Sequence, residues 1–161
     1  MTDLQPGDVV EATALVHALE RELPGIVTTE ANGDWFVFYD PDAVTQPDSR
    51  FPFCTVVTGD RYDAASDLDR DPGSYRVNLG ISGESYEQRL GDAPRQAAGR
   101  EVIDTGVDYT SRDTVMPHPF YAPLHWVCVV NPGERTRRQL CELLDDAYGQ
   151  ARHLYENQRN G

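Results

Sequence analysis

The chain has 161 residues, 39% of them hydrophobic and 25% charged, which is the composition of one globular domain with a substantial core rather than of a disordered tail. No apolar run approaches the ~18 residues that span a bilayer, and "MTDLQPGDVV" lacks the basic start and apolar segment of a signal peptide, so a single cytoplasmic domain over residues 1–161 is expected. The net charge is −13 and all 14 basic residues are arginine, which excludes a lysine Schiff base and opposes long-range attraction to nucleic-acid phosphates.

Residues 8–23 are predicted to form the first helix. Asp8 is placed to cap it, and Val9, Ala12, Val16, Leu19 and Leu23 recur at helical spacing. Pro24-Gly25 stops it. A short strand follows at Ile26–Thr29, then an Asn32-Gly33-Asp34 hairpin turn and a return strand at Trp35–Asp40. In that strand Trp35, Val37 and Tyr39 share one face, and Phe36 and Phe38 the other. Residues 40–52 read as a polar, proline-broken loop, and Phe53–Thr58 as the next strand.

Residues 59–73 form a long acidic loop. Ser74–Ile81 alternates as a strand, with Tyr75, Val77 and Leu79 opposite Arg76 and Asn78. "SGESYEQRLG" (82–91) is a short helix with Ser82 or Ser85 as cap, 91–108 is an exposed excursion, and 108–115 is a helical turn. His125–Val130 is the last strand. Asn131 and Pro132 then suit the cap and first turn of a final helix reaching about residue 156, with Leu140, Leu143, Leu144, Ala147, Ala151 and Leu154 as its apolar stripe. Hairpin-linked strands between terminal helices indicate an α+β fold: an antiparallel sheet of about five strands with the N- and C-terminal helices on one face. The other face then displays part of the aromatic strand with Arg76 and Asn78, and calls for a small organic ligand, a second subunit in a homodimer, or a covering loop.

The segments "FYDPD" (38–42), "RFPFCTVVT" (50–58), "SDLDR" (66–70), "YRVNLGI" (75–81), "MPHPFYAP" (116–123) and "HWVCVVNPGERT" (125–136) resemble an uncharacterised family of actinobacterial proteins, a domain of unknown function. The resemblance covers roughly 9–155 and implies no activity. More distantly, the Leu23-Pro24-Gly25 helix end, the central strands, His125-Trp126 and Ala147-Tyr148 are similar to the MmcQ/YjbR-like proteins. That similarity implies a CyaY-like α+β fold. Those proteins are often labelled DNA-binding, which implies a basic surface that this acidic chain lacks.

The chemistry-bearing residues are few. His118, Tyr121 and His125 stand in a proline-defined segment and form the candidate catalytic set, with the histidines as acid and base beside Arg76 or an aspartate from 67–71. Against this, no nucleophile is fixed beside them, so a structural loop histidine bonded to backbone is the favoured reading of His118. Trp35, Tyr39, Arg76, Asn78 and Trp126 are candidate ligand contacts, although large aromatics also dominate cores and interfaces. Asp67, Asp69 and Asp71 have the one-three-five spacing of a calcium loop, but Pro72 and Asn78 replace its glycine and its bidentate glutamate. An aspartate–Arg70 anchor is the simpler reading. Cys54, Cys128 and Cys141 have no zinc spacing and read as free thiols. No cofactor motif is present: "SGES" lacks the nucleophile-elbow pattern, and "GVDYTSRD" holds no phosphate-cradling loop. The leading expectation is a binding module whose open sheet face holds a small organic ligand or a second subunit; the rival is a small-molecule enzyme using His118 and His125, and a DNA-binding role is the third, less favoured reading.

Overall fold

A computed structural model of the chain describes residues 1–43 and 51–160, so part of the loop expected at 40–52 lies outside the described residues. The N-terminal region is divided. A tight 3-10 turn at Pro6–Val9 precedes helix α1 (Ala12–Glu22). Asp8 is therefore not the cap of α1; its carboxylate accepts the Gln5 amide and pairs with Arg21 at 3.1 Å. Pro6 pre-sets the backbone for the tight turn, and Glu11, extended at φ −154°, separates it from the helix.

Strands β1 (Ile26–Ala31) and β2 (Asp34–Tyr39) form the expected hairpin. Asn32 and Gly33 take φ values of 56° and 87°, the two positive angles that a type I′ turn needs. Because that turn uses only two residues, β1 runs on to Ala31 rather than ending at Thr29. β3 (Cys54–Val57), β4 (Arg76–Gly80) and helix α2 (Gly83–Leu90) follow. Ser82 caps α2 by accepting the Ser85 amide at 3.1 Å.

Strand β5 (Val115–Pro117) was not expected: its residues read as a helical turn and a loop. Pro117 lacks an N–H and fits only because β5 is an edge strand. After a 3-10 turn at Ala122–Leu124 come β6 (Trp126–Val130) and helix α3 (Arg137–Asn160). Asn131 does not cap α3. It adopts φ 48°, accepts the Tyr75 amide at 2.9 Å and donates to Ser74 Oγ. The cap comes from the distant Asp113, whose carboxylate accepts the amides of Gly133, Arg135 and Thr136 and the Thr136 hydroxyl. At the far end of α3 the stripe shifts by one residue: Leu154 is exposed and Tyr155 is buried.

Among the described residues the six strands form one antiparallel sheet in the order β1-β2-β3-β4-β6-β5, so the α+β class holds with one strand more than expected. The helices share one face. Val37, Cys54, Val56, Val77, Leu79, Val127 and Val129 pack there against Leu15, Val16 and Leu19 of α1, Tyr86 of α2 and Leu140, Leu143 and Leu144 of α3. The opposite face is closed over β4, β5 and β6 by the chain's own loops. Val57, Met116, Cys128 and Val130 are buried there beneath Leu68 and Tyr109. No helix among the described residues is long and apolar enough to cross a membrane.

Candidate functional site: the second sheet face

The acidic loop is held to this second face by one buried arginine. Arg76, 3% exposed, donates from Nη1 and Nη2 to the two oxygens of Asp63 at 3.2 and 2.9 Å. It also donates from Nη1 to Ser66 Oγ at 3.0 Å and from Nε to Asn78 Oδ1 at 2.9 Å. Asn78, 2% exposed, passes the chain on through Nδ2 to Thr55 Oγ1 at 2.9 Å. Arg76 is thus committed to the loop, and Asn78 to Arg76 and Thr55, instead of being presented to a ligand. Burial pushes the Asp63 carboxyl up, but the hydrogen bonds and charge of Arg76 more than offset this and hold it below the ordinary carboxylate range. The bidentate pairing uses the fork geometry that only arginine offers.

The expected anchor, Arg70, is a minor one. It pairs with Asp67 and Asp71 at the surface, where such pairs contribute little. Arg112 does more, binding the carbonyls of Ser66, Asp67 and Thr110 and so joining the acidic loop to the segment before β5. Asp60 and Asp69 bond loop amides. Among the described residues no group of three or more His, Cys, Asp or Glu side chains is arranged to hold a metal ion.

His118 follows β5 and continues the pairing, its amide bonding to the Trp126 carbonyl at 3.0 Å. Its ring lies 5.0 Å from Tyr121 and 6.3 Å from Trp126 between centroids, and Tyr121 lies 6.5 Å from Trp126. Nδ1 accepts two backbone amides, those of Phe120 and Tyr121, at 3.0 and 3.1 Å. An accepting Nδ1 places the proton of the neutral ring on Nε2, which has no hydrogen-bond partner among the described residues. Burial, with the Arg76 charge adding to it and Asp63 opposing, lowers the His118 pKa to about 3. At neutral pH His118 is therefore a fixed neutral N–H donor.

His125 does not join it. At the end of the Ala122–Leu124 turn it adopts φ 68°, and its ring packs on Gly83 and lies 5.7 Å from Tyr86, on the helix-covered side. The sheet separates the two histidines, so the expected acid–base pair is not assembled. Trp35 and Tyr39 also lie on the helix side. Trp35 packs against the main core, while Tyr39 makes edge contacts with Tyr148 and Tyr155. They are core aromatics on the side away from Trp126.

The aromatics of β2 that share the second face are Phe36 and Phe38, both half-buried and neither assigned a role by the sequence reading. The two-residue hairpin turn fixes their parity, and carrying that register across the sheet to Asn78 would have found them. The Trp126 indole lies flat over Gly80: a Cβ there would be 2.8 Å from Cε2. Phe53, just before β3, turns to the helix side against Tyr148. The second face therefore offers Phe36 and Phe38 at one end and Trp126, His118 and a 43% exposed Tyr121 at the other. Two surface clefts lie elsewhere and include none of these residues. One of about 410 Å³ is bordered by Arg89, Asp113, Val115, Arg135 and Gln139. One of about 490 Å³ lies between the N-terminal segment and α3.

The thiols offer no nucleophile. Burial pushes Cys128 up to about 12 and Cys54 higher still. No curated protein and no solved structure matches the chain. Residues 10–160 match the model of a family of unknown function (DUF6194), which covers almost the whole described fold. The chain belongs to that family.

Proposed function

We propose that this protein is a non-catalytic binding module that takes a small, neutral, planar organic molecule bearing a hydrogen-bond acceptor. The site is the second sheet face between Phe38 and Trp126. The observation that carries the reading is His118: a neutral ring, fixed through Nδ1 by two backbone amides, with its Nε2–H uncommitted beside Trp126 and Tyr121. Apolar walls with a few placed polar groups are what small-molecule sites use for affinity and orientation. Charge argues for a neutral ligand, because the chain carries −13 and the one buried cation at the site is paired with Asp63. The separation of the two histidines disfavours the enzyme reading, and the acidic surface disfavours a DNA-binding role.

We place the fold beside the CyaY/YjbR-like proteins, a kinship supported by terminal helices on one face of an antiparallel sheet. An actinobacterial origin is supported by the lysine-free composition. A cytoplasmic location is supported by three free thiols, as a reducing compartment leaves them.

The test uses the two tryptophans. In a Trp35→Phe variant, Trp126 is the sole indole and reports on the site. Neutral heteroaromatic carbonyl compounds should shift its emission saturably. The shift should weaken in His118→Asn, whose amide keeps an acceptor near Nδ1 but cannot reach as far as Nε2. Failure of every such compound to perturb Trp126, or an equal response in His118→Asn, would overturn the proposal.

A further inference from the structure

The two edges of the sheet are treated differently. β5 is a protected edge: it has three residues, ends in Pro117, and is followed by a stretch whose carbonyls at Pro119 and Phe120 bond the amides of Ile103 and Gly99. β1 has none of these protections. It is six residues long and contains no proline, no lysine and one charged side chain, Glu30. Its register with β2 is unbroken from Ile26 to Ala31, so no bulge twists it away.

The hydrogen bond from the Asp40 amide to the Gly25 carbonyl fixes which groups face outward. Gly25 and Asp40 continue the β1–β2 register, so they are a hydrogen-bonded pair, as are Val27–Phe38 and Thr29–Phe36 two and four residues further on. The N–H and C=O of Ile26, Thr28 and Glu30 then point away from β2, and none has a partner among the described residues.

We infer that β1 is a dimerisation strand, and that its occupant is β1 of a second copy of this chain, paired antiparallel about a two-fold axis at Thr28. The strand is complementary to itself in that register. Thr28 lies opposite Thr28, and Ile26 opposite Glu30, so every outward N–H meets an outward C=O. The two Glu30 carboxylates fall at opposite ends of the pairing, where they do not oppose each other. Both are already turned back to the hairpin, where Glu30 accepts the Gly33 amide at 2.7 Å. Pairing joins two six-stranded sheets into one and places the Phe36/Phe38 strips of both copies on a continuous surface. A one-residue slip would pair inward-facing groups instead, and a two-residue slip would leave Ile26 or Glu30 without a strand partner, so the register centred on Thr28 is the one that uses all three outward residues.

Light scattering coupled to size exclusion, with hydrogen exchange, tests this. The wild-type protein should have twice the 18.0 kDa mass of one chain. Its amides at Ile26, Thr28 and Glu30 should be protected, although they have no partner within the chain. Thr28→Pro removes an outward N–H without breaking a β1–β2 bond, and Thr28→Lys sets two like charges face to face. Both should be monomeric, with unchanged circular dichroism and fast exchange at Ile26 and Glu30. A monomeric wild type, a dimer that leaves these amides unprotected, or folded Thr28 variants that remain dimeric would each overturn the inference.

Discussion

Arg76 holds a full charge almost out of water, and only its partners make that tolerable. With Asp63, Ser66 and Asn78 supplying acceptors, every guanidinium nitrogen is engaged. Such a pair contributes little compared with a well-packed apolar replacement, but breaking it is costly, because the remaining charge stays buried. Asp63→Ala should therefore destabilise the fold by about 3 kcal/mol in denaturant titrations, more than any aspartate substitution at the surface of the same loop. Removing Asp71, which among the described residues pairs with the exposed Arg70 and with Arg112 at 3.6 Å, should cost less than about 1 kcal/mol. The sequence shows Arg76 and Asn78 as a polar pair on one strand face. It does not show that Asp63, among so many loop aspartates, is the one that reaches them. That choice depends on the path of the loop, which no periodicity encodes.

At the level of elements, local signals were legible where local forces decide. The hairpin turn, the Ser82 cap and the helical stripes of α1 and α3 follow from neighbouring residues. The start of α3 does not. Asn131 and Pro132 have the residue types of a cap and a first turn, yet the backbone turns left-handed at Asn131 and the helix begins at Arg137. A carboxylate from a different part of the chain accepts the amides of the turn that leads into it, those of Gly133, Arg135 and Thr136. Burial pushes Asp113 up, but the Thr136 hydroxyl and the amides it accepts outweigh this and hold it below the usual carboxylate range. Asp113→Ala should reduce stability by about 2 kcal/mol, the upper end for a helix cap, since it frees several amides at once. Thermal melts of Asp113→Ala and Asp113→Asn should separate the loss of charge from the loss of the acceptor. β5 was hidden for a similar reason: a three-residue strand containing proline carries no alternating pattern, and only its pairing with β6 defines it.

For the whole molecule, the sequence conveyed the class of fold and the existence of two sheet faces, but not which residues share each face with a covering element. Grouping Trp35 and Tyr39 with Arg76 as ligand contacts joined residues that the register sets on opposite faces, and pairing His118 with His125 took sequence proximity for spatial proximity. The assembled sheet also sets a pH response. His118 has a folded-state value near 3 against an ordinary 6.5, so the unfolded chain takes up its proton first. The stability contributed by neutral His118 is complete above 6.5 and is lost progressively as pH falls toward 3. Asp63 and Asp113, both lowered, add a loss in the same direction at more acidic pH. Replacing His118 with Asn should flatten the first part of this decline and leave the second.

In the proposed site His118 acts as a fixed, neutral donor and not as a proton-transfer residue. The nitrogen-15 shifts of its ring, followed from about pH 8 to about pH 4, test this most directly. Nδ1 should remain an unprotonated acceptor and Nε2 should keep its proton across that range. A common shift of both nitrogens to imidazolium values, with a midpoint near the ordinary 6.5, would contradict it.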